Sequence, residues 1–159
     1  MAKNKINGLA QSILESESTQ LRKVAKQIDK DVIKASNLIA KHDGKVVVCG
    51  LGKSGLIAQK IVATLCSTGT KSVFMHASDA LHGDLGIYNP GDPTILISKS
   101  GNTEELINFL YHVKHKNCKI VSIHSNPCNT SLDYSCLDID LHVDGEADHL
   151  DIVPTCSIA

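Results

Sequence analysis

Tryptophan is missing from this chain, phenylalanine occurs twice and tyrosine three times, so aromatic side chains make up only 3% of its 159 residues. Its core must therefore be aliphatic. With 42% hydrophobic and 21% charged residues, the balance is that of one soluble globular domain, which excludes a disordered tail or a fibrous repeat. Neither sign of charge dominates. Sixteen Lys and Arg oppose seventeen Asp and Glu, for a net charge of −1, and no basic block offers a footprint for a nucleic-acid backbone. Any bound anion must be held locally. No apolar run approaches the ~18 residues that span a bilayer, and the opening MAKNKINGLAQSILESES inserts Asn7, Gln11 and Ser12 before any signal-peptide core forms. The expectation is a cytoplasmic protein with no membrane or nucleic-acid partner. CxxC spacing is also lacking among the six cysteines, and Cys49 and Cys66 stand inside apolar patterns, which points to reduced structural thiols.

What is present begins with helical periodicity. Apolar residues at Ile6, Leu9, Ile13, Leu21, Val24, Ile28, Val32, Ala35 and Ile39 predict one long N-terminal helix over about 5–41, broken, if at all, near Ser16 to Thr19. Such a helix would pack within the chain or reach a second subunit. His42-Asp43-Gly44 stops it. Five short apolar runs then follow at Val46 to Cys49, Ser72 to Met75, Thr94 to Ile97, Ile120 to Ile123 and Ile139 to Val143. Helical stretches separate them at Ser54 to Leu65, Ser78 to His82, Thr103 to Lys116 and Thr130 to Cys136. That alternation predicts an α/β fold: a five-stranded, mainly parallel sheet in a doubly wound αβα sandwich of the flavodoxin-like kind. No repeat or linker divides residues 1–159, so a single domain is expected.

Ligands of such sheets sit where strands lead into helix N-termini. The first loop, Gly50-Leu51-Gly52-Lys53-Ser54-Gly55, fits G-x-G-x-x-G after a strand. The dinucleotide reading fails, because the second strand ends at Met75-His76 without an acidic residue for a ribose. The P-loop reading fails too, with Val47 where its first glycine belongs. What remains is a glycine turn whose amides and Ser54 hydroxyl can face an anion. The third strand runs into Ser98-Lys99-Ser100-Gly101-Asn102-Thr103-Glu104-Glu105. Hydroxyls at Ser98, Ser100 and Thr103 crowd a helix start, which suits a phosphate monoester. Asn102 and Glu105 also read as a capping box, which needs no ligand. After the second strand, Ser78 can cap a single turn that Gly83 ends, leaving His82 on a loop where an imidazole relays protons near neutral pH. The late segment Gly145-Glu146-Ala147-Asp148-His149-Leu150-Asp151 reads as a solvated acidic loop. Neither a metal-ligand spacing nor a G-x-S-x-G elbow occurs, so no metal is expected.

Together GLGKSG, STGTKSVFMHASDALHGDLG, ISKSGNTEEL and GEADHLDIVPTCS resemble the sugar isomerase (SIS) domain of arabinose-5-phosphate isomerases over nearly the whole chain. DALHGDLG, placed between the glycine loop and the S-x-S-G-x-T loop, is the specific piece. The resemblance implies interconversion of D-ribulose 5-phosphate and D-arabinose 5-phosphate through an enediol, without a cofactor, toward 3-deoxy-D-manno-octulosonate of lipopolysaccharide or capsule. It implies a phosphate cradle of Gly52, Ser54, Ser98, Ser100 and Thr103, and catalytic or substrate-contacting roles for Lys53, His82, Glu105 and Glu146. Glu146 is read as the base that shuttles the proton, His82 as the group for ring opening or oxygen protonation, and Lys53 as a charge neutraliser. It implies a homo-oligomer, dimer or tetramer.

Two features depart from the family pattern. His76-Ala77 stands where relatives carry His-Pro, and Pro154-Thr155-Cys156-Ser157 is followed only by Ile158-Ala159. In the family that segment opens a further helix, then a loop with another histidine, and commonly two CBS domains. The expectation is therefore a domain shortened at its C-terminus. A phosphosugar-binding regulatory module of the same fold is the alternative, against which stands the lack of a helix-turn-helix. An isomerase of a different sugar, such as a hexulose 6-phosphate, is a third reading, against which stands DALHGDLG.

Overall fold

Val46, Val47, Val48 and Cys49 are all fully buried, as a strand covered on both faces must be. The computed structural model describes residues 2–147 and 153–158, with side chains from residue 6 onward. The helix α1 (Ala2–Val24) and the helix α2 (Lys30–Ala40) precede β1 (Val46–Gly50), α3 (Gly52–Ser67), β2 (Ser72–His76) and the short α4 (Ala77–Ala80). A 3-10 turn over Asp84–Ile87 leads to β3 (Thr94–Ile97), α5 (Glu104–His115) and β4 (Ile120–His124). A second 3-10 turn, Thr130–Asp133, leads to β5 (Leu137–Asp140). All pairings are parallel in the order β2-β1-β3-β4-β5. The order reverses between β1 and β3, where a doubly wound sheet opens its ligand crevice.

Both faces are covered. Leu106, Phe109, Leu110 and Val113 recur at helical spacing along α5 and are all buried, packing with Val47, Cys49, Leu96 and Ile120 on one face of the sheet. On the other face Ala58, Ile61, Val62 and Leu65 of α3, joined by Ile39 of α2, meet Val46, Val48 and Ile95. Burying one such aliphatic side chain contributes about 1.5–3 kcal/mol. These two aliphatic layers are the predicted αβα sandwich.

Three expectations need correction. The N-terminal helix is two helices, broken not near Ser16 to Thr19 but between Val24 and Lys30. Asp29, in extended backbone, accepts a hydrogen bond from the Asp31 amide and so starts α2 afresh. Intrachain packing does not account for α1. Its last turn docks through Lys23, paired to Asp144, and Gln27 just beyond it donates to the His142 carbonyl at 3.0 Å, but Ile6, Leu9 and Leu14 stay 66%, 62% and 65% exposed. The last strand is Leu137–Asp140, not Ile139 to Val143, since Ser125 and His124 hold Leu141 where the chain leaves the edge of the sheet. Cys49, Cys118 and Cys156 are buried, whereas Cys66, Cys128 and Cys136 are exposed, and none is bridged. Cys66 therefore departs from the apolar interior its sequence neighbours suggest.

Candidate functional site

The glycine turn after β1 is dictated by a close approach. A Cβ on Gly50 would lie 2.8 Å from the backbone of Ser54, so only glycine lets the strand end and the first turn of α3 touch. Gly52 opens α3 with φ of +52°, and Lys53 and Ser54 follow in the first turn. After β3 the chain turns again at Gly101, φ +67°, where Ser98 Oγ accepts the Gly101 amide at 3.0 Å. A side chain on Gly101 would collide with Asn129.

The loop after β4 braces the loop after β3. Asn126 Nδ2 donates to the Ser100 carbonyl at 3.2 Å, the Ser131 amide to the Gly101 carbonyl at 3.1 Å, and the Thr130 amide to Asn102 Oδ1 at 2.8 Å. Beneath them Ser131 Oγ donates to Asn129 Oδ1 at 2.5 Å and lies 3.1 Å from Ser122 Oγ. The capping box is thus not formed. The N-cap of α5 is Thr103, without a side-chain cap bond, because the Asn102 carboxamide is spent on the neighbouring loop. Ser78 likewise caps nothing, as α4 begins at Ala77 with His76 at its N-cap position.

Ser54, Ser98, Ser100 and Thr103 share one cavity of about 470 Å³, together with Lys99, Ser125 and Asn126. It opens at the carboxyl ends of β1, β3 and β4. Four of the five expected cradle residues are therefore brought together, while Gly52 lies exposed beside them. Reading the sequence for hydroxyls at the β3 end misses Lys99, Ser125 and Asn126. The signal that finds them is the rule that every strand's carboxyl end faces the crevice, which includes the Ser125-Asn126 end of β4.

Beside the cradle lies a second cavity of about 230 Å³, walled largely by Leu21, Val24, Ile97, Ile123, Leu141 and Val143, with Lys53, Lys99, Cys156 and Ser157 at its polar points. Glu146 lines neither cavity and is joined to both through Lys99. Its carboxylate, 1% exposed, accepts from Lys99 Nζ at 2.6 Å, from the Thr155 amide at 2.8 Å and hydroxyl at 3.2 Å, and from the Ser157 amide at 3.1 Å. Burial works against the charge, but the Lys99 ammonium and the Ser157 and Thr155 donors outweigh it and hold the carboxyl down at about 2. So the segment that reads as a solvated loop contains a buried, clamped carboxylate. Asp148, His149, Leu150 and Asp151 lie outside the described residues.

His82 and Glu105 are not brought to these cavities. His82 is exposed on the turn after α4, and Glu105 is exposed on the first turn of α5. Among the described residues no group of three or more His, Cys, Asp or Glu is placed to hold a metal ion, and no helix is long and apolar enough to cross a membrane.

Known proteins resemble this chain in sequence and in fold. A probable arabinose 5-phosphate isomerase of Haemophilus influenzae is 37% identical over 149 residues, 94% of this chain and 44% of its own length. The arabinose 5-phosphate isomerase KdsD of Francisella tularensis is 38% identical over 144 residues, 89% of this chain and 44% of its own. The chain thus spans less than half the length of these curated relatives. Among solved structures, that of Escherichia coli CFT073 c3406 in complex with arabinose 5-phosphate superposes with a TM-score of 0.94 at 33% identity, covering 99% of this chain and 84% of that one. The sequence model of the SIS domain matches residues 38–158, a span that runs from the end of α2 through every strand to the Glu146 clamp, and the chain belongs to the SIS domain family.

Proposed function

We propose that the chain is the isomerase domain of an aldose-ketose isomerase that interconverts D-ribulose 5-phosphate and D-arabinose 5-phosphate. The observation that carries this reading is the juxtaposition of a hydroxyl-lined cavity at the carboxyl edge of the sheet with a buried carboxylate joined to it by Lys99. The relatives named as arabinose 5-phosphate isomerases supply the sugar.

In this reading Ser54, Ser98, Ser100 and Thr103, with the Gly52 turn, hold the phosphate by neutral donors at the N-termini of α3 and α5. Anchoring the phosphate fixes the sugar chain, so that the carbon next to the carbonyl is presented in one orientation. Glu146 removes the C2 proton of the open-chain aldose to give the enediol and returns a proton to C1 of the ketose. Lys53 stabilises the charge that develops on the sugar oxygen. His82 and Glu105, standing outside the cavities of their own chain, serve ring opening and oxygen protonation from a neighbouring protomer of a homo-oligomer. The reaction takes place in the cytoplasm, needs no cofactor, and feeds 3-deoxy-D-manno-octulosonate synthesis for lipopolysaccharide or capsule.

The test is proton exchange. Incubated with arabinose 5-phosphate in deuterium oxide, the chain is expected to remove the C2 proton signal and form ribulose 5-phosphate, and Glu146→Gln to abolish both. Binding without exchange would favour a phosphosugar-binding regulatory module instead.

A further inference from the structure

The cavity that receives the phosphate in the reading above has one charged residue in its lining, Lys99, among otherwise neutral donors and aliphatic side chains. A phosphate monoester near neutral pH carries close to two negative charges. Neutral hydroxyls alone leave much of that charge uncompensated in a partly enclosed site. Lys99 stands between the serines of the cradle, Ser98 and Ser100, and its side chain also lines the neighbouring apolar cavity. Its ammonium is engaged with Glu146 at 2.6 Å, yet the side chain is 54% exposed while that of its partner is 1% exposed. The lysine is therefore the mobile half of the pair, a compact charge on a flexible four-carbon stem. Glu146 is the fixed half, held from the other side by Thr155 and Ser157.

We propose that Lys99 is the cationic anchor for the substrate phosphate, and that its ion pair with Glu146 is a latch that the incoming phosphate breaks. The proposal rests on the isomerase reading and adds to it a residue and an order of events. With the latch closed, Lys99 neutralises Glu146. A dianion entering the cradle offers the same ammonium a stronger partner, and Lys99 turns from the carboxylate to the phosphate. Glu146 then keeps its contacts with Thr155 and Ser157 but loses the ammonium, so burial acts on it with less opposition and its affinity for a proton rises. The carboxylate becomes a better base only once a phosphorylated ligand is seated. Sugars without phosphate would leave the latch closed.

The probe is inorganic phosphate, titrated calorimetrically into the wild-type chain, Lys99→Met and Lys99→Arg, each checked for folding by thermal unfolding. Loss of one charge-assisted contact is expected to raise the phosphate dissociation constant about tenfold in Lys99→Met, with Lys99→Arg within about twofold of wild type. With arabinose 5-phosphate, KM is expected to rise in parallel while kcat changes much less. The latch is read separately, from the side-chain carboxyl carbon resonance of Glu146, identified by its loss in Glu146→Gln. Phosphate is expected to move it in wild type and to leave it in place in Lys99→Met. Wild-type phosphate affinity in a folded Lys99→Met would overturn the anchor and leave the isomerase reading standing. A Glu146 resonance that phosphate does not move would overturn the latch. A wild-type chain that binds neither phosphate nor sugar phosphate would overturn the isomerase reading and the anchor together.

Discussion

Lys45 Nζ lies 2.5 Å from Asp92 Oδ2, tying the entry of β1 to the loop before β3. Asp92 is 1% exposed and also accepts from the Asn89 amide at 2.8 Å and meets His42 Nε2 at 3.1 Å. Burial opposes its charge, but these three partners prevail and hold its carboxyl below the usual range. A depressed folded pKa stabilises above the unfolded value of about 3.9 and is lost as pH falls through the folded one. Asp92→Asn is expected to cost about 2–3 kcal/mol at neutral pH in urea unfolding. The variant's stability should also fall less than wild type's as pH drops below about 4.

Gly101→Ala tests the brace between the two loops of the cradle. The backbone conformation is left-handed and the added methyl group would meet Asn129, so a loss of about 1–3 kcal/mol is expected. Because Asn129 and Ser131 move with it, phosphate affinity should fall as well. Unchanged stability would show that the loop has room that the geometry denies.

Glu146 gives the second acid-sensitive element. Its carboxyl is held at about 2, below the unfolded carboxylate value of about 4.3, so the clamp is at full strength above that value and is lost as pH falls toward 2. Amide exchange at Thr155 and Ser157, taken relative to the intrinsic rate, which itself slows over that interval, is expected to accelerate. In Glu146→Gln it should be fast already at pH 7, while the core strands stay protected.

The strands β1, β3 and β4 are legible in the sequence because strands buried on both faces are nearly uninterrupted aliphatic runs, and the edge strand β2 because Val73, Phe74 and Met75 make an apolar run of their own. β5 is displaced from its expected place because it is an edge strand whose Asp138 and Asp140 alternate with Leu137 and Ile139, so no apolar run marks it. The break before α2 escapes the periodicity because the stop depends on a single aspartate cap, Asp29, rather than on glycine or proline. The hydroxyls of the cradle are legible since they cluster within a few residues at a helix start. Lys99 is not, because a lone lysine in a loop looks like any surface cation. Its meaning comes from Glu146, 47 residues away.

The exposed Ile6 and Leu9 of α1 bear on assembly. In the homo-oligomer proposed above a second copy covers them, and light scattering should give a multiple of 17.0 kDa. Ile6→Glu combined with Leu9→Glu is expected to reduce the mass to one chain. A single-chain mass for the unaltered protein across working concentrations would sink that reading.

The burial of Cys156 gives the Glu146 clamp a chemical reporter. This thiol is 5% exposed, between Thr155 and Ser157, the two residues that Glu146 grips. Alkylating reagents need the thiolate and an open path to it. Cys66, Cys128 and Cys136 offer that path in the folded chain, whereas Cys49, at the centre of the sheet and with its thiol pushed up by burial, becomes available only on global unfolding. Cys156 falls between these classes, so its modification rate times the opening of one turn against the melting of the whole sheet, without any added label.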